Sequence, residues 1–239
     1  MLPIETHVRL WGANRLPDVV PTLQKRFPQA LWAGNNERRQ IALTFDDGPH
    51  PQDTPALLKV LEHHRVRATF FHVGEYIESW PGLVTEVAAA GHQVGIHGYR
   101  HEPFPMIREP DLYEQLAVTR KLISMASQRK EADIRDVRPP YGVFLNRTLQ
   151  QLERWNYRPV LCSVLPLHWI QSGEETIQQV LDQTTSGSLV VLHEGQTGPD
   201  IATLTDTILT YLNRVGFEFI TVDQMWQTRL LSISPSPSL

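Results

Sequence analysis

Two adjacent carboxylates at the end of a predicted buried strand are the residues of this sequence best suited to chemistry. Asp46 and Asp47 directly follow the apolar segment 41–43 and precede Gly48 and Pro49. Two like charges side by side cost free energy, and a bound cation is the usual compensation. Because Asp-Gly-Pro is also common turn chemistry, the pair is compatible with a plain turn as well as with a metal site.

Two histidines four residues apart form a second group with metal-binding chemistry. His97 and His101 follow the apolar segment 94–96. The spacing would also suit an exposed helix face, but Gly98 disfavours a helix and favours a loop after a strand. One carboxylate with two imidazoles makes a divalent metal site with open positions. The second carboxylate is then free to act as a base.

A stiff loop and one further histidine complete the candidate residues. Arg138 begins the segment Arg138-Pro139-Pro140-Tyr141-Gly142, where it can keep a partner carboxylate ionised. Such a loop presents backbone N–H groups in fixed directions, as an oxyanion site requires. His193 follows the apolar segment 189–192 and is either a satisfied core residue or, at the mouth of a metal cleft, a general acid.

The composition is that of an ordinary globular domain. The chain has 239 residues, of which 41% are hydrophobic and 20% charged, and this suits one domain with a full core. A formal net charge of −4 gives no reason to expect nucleic acid or an anionic membrane as a partner, and no apolar segment has the length of a membrane span. Cys162 is the single cysteine, which excludes an intrachain disulfide and fits a core position.

Strand-like and helix-like segments alternate along the chain. Strands are predicted over 40–45, 67–73, 93–97, 134–138, 158–164, 188–193 and 217–222. Helices are predicted over 54–64, 82–90, 110–127, 145–156, 174–184 and 200–214. Such alternation implies parallel strands with crossover helices, and seven units suffice for an α/β fold of the distorted (β/α)7 barrel type. The candidate residues follow the strands, at the end where barrels carry their chemistry.

Three segments are expected along the chain. Residues 1–37 contain several prolines and predict an irregular extension packed on the barrel, 38–231 form the barrel itself, and 232–239 form a disordered tail. The first twenty residues lack a basic region followed by an apolar one, so no secretory signal is expected. This pattern by itself is that of a cytoplasmic protein, but it leaves the compartment open. No pattern indicates an oligomeric state.

Together these motifs resemble the NodB-homology polysaccharide deacetylases of carbohydrate esterase family 4. The resemblance covers roughly residues 38–222. Thr44-Phe45-Asp46-Asp47-Gly48-Pro49 resembles the first family motif, and His97 to His101 resembles the second, His-x-x-x-His. Arg138-Pro139-Pro140-Tyr141-Gly142 resembles the third motif, and Leu192-His193 the fifth. All of them occur in the family's order.

The resemblance implies a fold, a reaction and a role for each matching residue. It implies a distorted (β/α) barrel that removes acetyl groups from an acetylated oligosaccharide or polysaccharide, such as chitin, peptidoglycan or O-acetylated xylan. The implied metal ligands, for a divalent ion that is usually zinc, are Asp47, His97 and His101. The implied catalytic residues are Asp46 as base with Arg138 orienting it, the Tyr141 N–H at the oxyanion, and His193 as acid. Substrate contacts are expected at Tyr141, Trp169 and Pro140.

Two motifs depart from the family pattern. The fourth motif usually carries acidic residues before a tryptophan, but Leu165 and His168 occupy those positions here and Trp169 is retained. An acidic residue there normally supports the general-acid histidine, so its absence affects the tuning of His193. The second motif has Gly98 and Arg100 where small hydroxyl residues are common, and Arg100 either extends toward an anionic substrate group or is a solvated surface residue.

Three other functions are compatible with some of these residues. Two histidines and a carboxylate are also the ligands of Fe(II)-dependent oxygenases, although those sites usually lie on antiparallel β-folds. The altered fourth motif suits a non-catalytic carbohydrate-binding relative. Related barrels also act on small cyclic amides. Aromatic residues that can stack on sugars favour a carbohydrate substrate, namely Tyr99, Tyr141 and Trp169.

Overall fold

A parallel sheet forms the framework of the chain across residues 4–233, which the computed structural model describes, with side chains for residues 12–229. Its strands are β1 (Gln40–Gly48), β2 (Thr69–His72), β3 (Gln93–Ile96), β4 (Asp136–Val137), β5 (Arg158–Pro159), β6 (Leu189–His193) and β7 (Glu218–Phe219). The strand order is β5-β4-β3-β2-β1-β6, and β7 pairs with the start of β1. Every pairing between these strands is parallel.

The segment after β5 closes the sheet on itself. Val164 forms a parallel bridge with Val190 of β6, and the Val191 N–H donates to the Val164 carbonyl at 3.0 Å. The Ser163 N–H donates to the Leu189 carbonyl at 3.0 Å. Because this junction is a bridge rather than a full ladder, the barrel is distorted. The predicted (β/α)7 barrel with parallel strands is therefore confirmed.

Helices cover the outside of the sheet in alternation with its strands. They are α1 (Ile4–Arg26), α2 (Asp53–His64), α3 (Gly74–Ser79), α4 (Pro81–Ala89), α5 (Glu109–Ser127), α6 (Asn146–Arg154), α7 (Gly173–Gln183), α8 (Ile201–Arg214) and α9 (Val222–Ile233). Ser172 and Glu175 start α7 as a reciprocal capping box, and Gly91 at φ 81° follows the end of α4. None of the described helices is both long enough and apolar enough to cross a bilayer.

The N-terminal helix corrects one expectation from the sequence. Residues 4–26 form α1, although Pro17 and Pro21 lie inside it and predicted an irregular segment. Val20 is buried in a cluster with Leu149 and Leu161, so tertiary packing compensates for the hydrogen bonds that proline removes. The short helix α3 and the C-terminal helix α9 were also not predicted. The expected tail lies, from residue 234 on, outside the described residues.

The alternation of side chains along β1 determines which residues enter the barrel. Ile41, Leu43 and Phe45 belong to the large apolar cluster that the outer helices share. Ala42 belongs to the second cluster, inside the barrel, with residues of β2 and β6. Since side chains alternate with period two, Asp46 must point into the barrel at the C-terminal end of β1.

Candidate active site

The parallel register brings the candidate residues to one end of the barrel. Asp46 on β1 is the register partner of His193 on β6. His97 directly follows β3, and the Arg138 N–H beyond β4 donates to the Ile96 carbonyl at 2.9 Å. Residues separated by almost 150 positions in sequence therefore meet at the carboxyl ends of neighbouring strands, as the sequence predicted.

One carboxylate oxygen and two imidazole nitrogens converge on a common point. Asp47 Oδ1 lies 3.0 Å from His101 Nε2 and 3.3 Å from His97 Nε2. All three donor atoms lie within 4.8 Å of one another. His97 Nδ1 lies 2.8 Å from the Arg138 carbonyl, so Nδ1 carries a proton and donates it to that carbonyl, and Nε2 is the ring nitrogen that faces Asp47.

The electrostatics of Asp47 also fit a divalent cation. Burial alone would raise the pKa of Asp47, but the imidazoles of His101 and His97 hold it well below its usual range, so the carboxylate is ionised. Its Oδ1 is buried and makes no hydrogen bond of good geometry among the described residues. Gln196 donates to the other oxygen, Oδ2, at 2.8 Å. A buried carboxylate oxygen that faces two imidazole nitrogens is a ligand set for a metal such as zinc.

A second histidine-containing group lies between the outer helices α2 and α8, and it is a weaker metal candidate. It consists of His63, His64 and Asp206. His64 Nε2 already contacts Asp206 Oδ1 at 2.7 Å, and its Nδ1 lies 3.4 Å from the Asn213 amide nitrogen. Both nitrogens of His64 are therefore engaged within the protein, whereas the Asp47 group leaves its donor atoms facing one another.

Asp46 is held by a buried guanidinium beside this donor set. Arg138 Nη1 donates to Asp46 Oδ1 at 2.6 Å and to the Thr44 hydroxyl at 2.8 Å. Its Nη2 donates to the Leu161 carbonyl at 3.0 Å, and its Cζ lies 4.1 Å from the Phe71 ring centre. Both partners of the ion pair are almost fully buried. Asp46 Oδ2 faces the metal donors, 3.8 Å from His97 Nε2.

Three non-glycine residues at the site adopt left-handed backbone. They are Asp47 at φ 67°, His101 at φ 53° and Tyr141 at φ 59°. This conformation costs on the order of 1 kcal/mol or more for residues with a Cβ, and it persists where the surroundings over-determine it. At Asp47 and His101 the unusual backbone aims a side chain at the donor cluster. At Tyr141 it forms the tip of the loop beyond Arg138.

Tyr141, in the loop beyond Arg138, and the partly buried Trp169 lie beside the histidines of the site. The Tyr141 side chain is 66% exposed, and its ring centre lies 4.4 Å from that of His101. Pro140 is buried, so it shapes the loop rather than presenting a surface. Trp169 packs edge-to-face on His193 with ring centres 4.8 Å apart.

Two residues predicted as possible substrate contacts have protein partners instead. The Arg100 guanidinium donates to Glu75 at 3.0 Å, and the Tyr99 hydroxyl donates to Glu78 at 3.1 Å. Both acceptors lie on α3, outside the donor cluster. Arg100 is therefore an exposed residue paired with the helix, which matches the solvated alternative for that position.

The altered fourth motif changes the surroundings of His193. His168 Nε2 accepts a hydrogen bond from the His193 backbone N–H at 3.1 Å, and Leu165 packs against the interior apolar cluster. Burial, together with the charge of His193, lowers the pKa of His168 to about 3, so it is a neutral acceptor. His193 Nδ1 is buried and has no hydrogen-bond partner among the described residues. Burial lowers the pKa of His193, and the negative charges of Asp46 and Asp47 offset this only in part.

Sequence reasoning missed two polar residues that touch this site. Gln196 lies in the loop after β6, and no pattern in the sequence signals its contact with Asp47. Glu194 directly follows His193 and is completely buried. A carboxyl group next to the end of an apolar strand was the available signal for Glu194.

Comparison with known proteins agrees with this geometry. The family model described as "Polysaccharide deacetylase" matches residues 33–160. A peptidoglycan-N-acetylglucosamine deacetylase of Bacillus cereus is 32% identical over 201 residues, covering 82% of this chain and 72% of that protein. A chitooligosaccharide deacetylase of Sinorhizobium fredii is 36% identical over 156 residues, covering 65% of this chain and 72% of that protein.

The fold is also similar to that of solved structures. One is the crystal structure of a peptidoglycan N-acetylglucosamine deacetylase in complex with an N-oxidanyl-benzamide ligand. It superposes with a TM-score of 0.79 at 30% sequence identity, covering 84% of this chain and 94% of that chain. The similarity therefore extends over most of this chain.

Proposed function

This chain belongs to the polysaccharide deacetylase family, and we propose that it removes acetyl groups from N-acetylglucosamine residues of a peptidoglycan- or chitin-type polymer. The observation that carries the proposal is the convergence of Asp47, His97 and His101 beside the buried Asp46–Arg138 pair. The names of the relatives support an amide rather than an ester substrate. The oxygenase alternative is set aside because the sheet is parallel and the family is a hydrolase family.

In the proposed mechanism Asp47, His97 and His101 hold a divalent cation, of which zinc suits the ligand set best. When bound, such an ion lowers the pKa of a water molecule to about 7 and polarises a carbonyl group. Hydrogen bonds orient the ligands: His97 Nδ1 bonds the Arg138 carbonyl, and Gln196 holds the outer oxygen of Asp47. These contacts keep Oδ1 of Asp47 directed toward the two imidazoles, where the three side chains would hold the ion.

Asp46 is the proposed general base. Its Oδ1 accepts a hydrogen bond from Arg138, and its Oδ2 lies on the side of the proposed metal ligands. From there it can accept a proton from water as that water attacks the acetyl carbonyl. A positioned base of this kind contributes on the order of 10²–10⁴ in rate. Arg138 is a positioning residue, since its hydrogen bond fixes the direction of the carboxylate.

The Tyr141 N–H and His193 are assigned to the two ends of the reacting amide. The loop that carries Tyr141 gives its N–H a fixed direction, which suits stabilisation of the oxyanion. His193, opposite Asp46 in the sheet register, protonates the leaving nitrogen and thereby releases the amine and acetate. The exposed ring of Tyr141 and the partly buried ring of Trp169 are the proposed surfaces for the sugar rings.

Acetate release is the direct test of this function. Purified protein is incubated with N-acetylglucosamine oligomers, peptidoglycan and acetylated xylan, each with added zinc and with a chelator. We expect zinc-dependent acetate from the N-acetylglucosamine polymers and less from xylan. Release from xylan alone would contradict the amide assignment. Sugar binding without any acetate would instead support a non-catalytic relative, and turnover of small cyclic amides alone would support an amidase.

A further inference from the structure

A completely buried carboxyl group, that of Glu194, lies directly behind the turn that carries Asp46 and Asp47. Glu194 follows His193 at the end of β6, and its backbone N–H donates to the Asp46 carbonyl at 2.9 Å. Its side chain has no exposed surface. Burying a carboxyl group costs several kcal/mol unless its polar atoms are satisfied, so its position calls for a physical reason.

The hydroxyl of Thr54 joins this carboxyl group to the backbone beyond Asp47. The Thr54 hydroxyl donates to Glu194 Oε1 at 2.7 Å and accepts a hydrogen bond from the His50 N–H at 2.8 Å. Thr54 is itself fully buried in the first turn of α2. A chain of two hydrogen bonds therefore runs from the end of β6 to His50, three residues after Asp47. A second tie runs in parallel, from the Gly195 N–H to Asp53 Oδ2 at 2.6 Å.

The second oxygen of Glu194 occupies the space beside Gly48. A Cβ built on Gly48 would lie 1.5 Å from Glu194 Oε2, so a side chain at this position would displace the Glu194 carboxyl group. On its other side Oε2 lies 3.9 Å from Nε2 of His72, the register partner of Gly48 on β2. The carboxyl group thus fills the gap between the ends of β1, β2 and β6.

The Glu194 carboxyl group and the His72 imidazole face each other in their uncharged forms. Burial raises the pKa of Glu194 to about 8; the hydrogen bond from Thr54 opposes this, and the charge of Asp53 adds to it. Burial lowers the pKa of His72 to about 3. At neutral pH a protonated carboxyl group therefore lies next to a neutral imidazole, which makes their burial far less costly than that of an unpaired ion.

We propose that Glu194 and Thr54 are positioning residues for the metal-binding turn, through which the end of β6 sets the direction of the Asp47 carboxylate. Glu194 packs against the turn at Gly48, and Thr54 holds the turn at His50. This inference rests on the proposed function only for the role of Asp47 as a metal ligand. Zinc binding tests that role without any substrate, so it remains distinguishable from a failure to release acetate.

The test compares zinc affinity in full-length variants by competition with a chromophoric chelator. Thr54→Val keeps the shape of the side chain but removes both hydrogen bonds, and we expect it to weaken zinc binding by about 10- to 100-fold. Thr54→Ser keeps the hydroxyl and should bind zinc as wild type does. Glu194→Gln keeps an acceptor for Thr54 and should lie within about threefold of wild type, whereas Glu194→Ala should match Thr54→Val.

Thr205→Val is the matched control for removal of a buried hydroxyl. Thr205 is fully buried in α8, and its hydroxyl has no partner among the described residues. The control should leave zinc affinity unchanged, with thermal unfolding used to show that every variant is folded. A folded Thr54→Val protein with wild-type zinc affinity would overturn the proposal. Unchanged affinity in Asp47→Ala would overturn both this proposal and the proposed metal site.

Discussion

Removal of Arg138 and removal of the Asp46 charge should together destabilise the protein by less than the sum of their separate effects. The Arg138 side chain donates three hydrogen bonds, to Asp46, Thr44 and the Leu161 carbonyl, and both members of the ion pair are almost fully buried. Breaking a buried pair by removing one partner leaves an uncompensated charge and costs about 3–5 kcal/mol. We therefore expect Arg138→Met to lose about that much of the free energy of unfolding.

The double variant Asp46→Asn/Arg138→Met distinguishes the contribution of the ion pair to stability from that of the other contacts of Arg138. Asp46→Asn removes the charge that Arg138→Met would otherwise strand, although Thr44 and Leu161 still lose a donor. Urea unfolding of the wild type, both single variants and the double variant gives the coupling free energy, provided that the denaturant slopes agree. We expect the double variant to be at least about 1 kcal/mol more stable than the two single losses predict together. Losses that add to within about 0.5 kcal/mol would refute the buried pair as the element that holds Asp46.

Two further predictions concern the general acid. His193→Ala should lower amide turnover by about 10²–10⁴, but it should lower hydrolysis of 4-nitrophenyl acetate far less, because that leaving group needs no proton; equal losses on both substrates would count against the acid role. Because burial lowers the pKa of His193 and the protonated form is the acid, activity on the amide should decline with rising pH through a value below about 6.5, the ordinary histidine pKa. A pH–rate profile would check this, and His193→Ala should lack that alkaline limb.

The sequence predicted the convergence of the site because parallel strands place their carboxyl ends on one edge. Asp46, His97, Arg138 and His193 each lie at or directly after the carboxyl end of a predicted strand, and the structure brings these strand ends together. Family membership confirms the resemblance inferred from the motifs. Side chains alternate between the two faces of β1, so the inward direction of Asp46 can also be predicted from the sequence.

Other features depend on packing that no local pattern encodes. The helix α1 forms in spite of Pro17 and Pro21 because Val20 packs on the barrel, a tertiary contact between distant segments. His168 was identified as a departure from the family pattern, but its bond to the His193 backbone follows from loop geometry. The hydrogen bonds from Glu194 through Thr54 to His50 join residues 140 positions apart in sequence. The sequence gives no sign of this contact, because it depends on the burial of both side chains in the fold.

Zinc content measured together with acetate release tests most directly whether Asp46 is the general base and Asp47 a metal ligand. The measurement compares wild type, Asp46→Asn and Asp47→Asn on N-acetylglucosamine oligomers after removal of unbound metal. We expect Asp46→Asn to retain one zinc ion and to lose about 10²–10⁴ of its turnover, and Asp47→Asn to lose the metal itself. Near-wild-type turnover in Asp46→Asn, or loss of zinc from that variant while Asp47→Asn keeps it, would contradict the assignment of base and ligand.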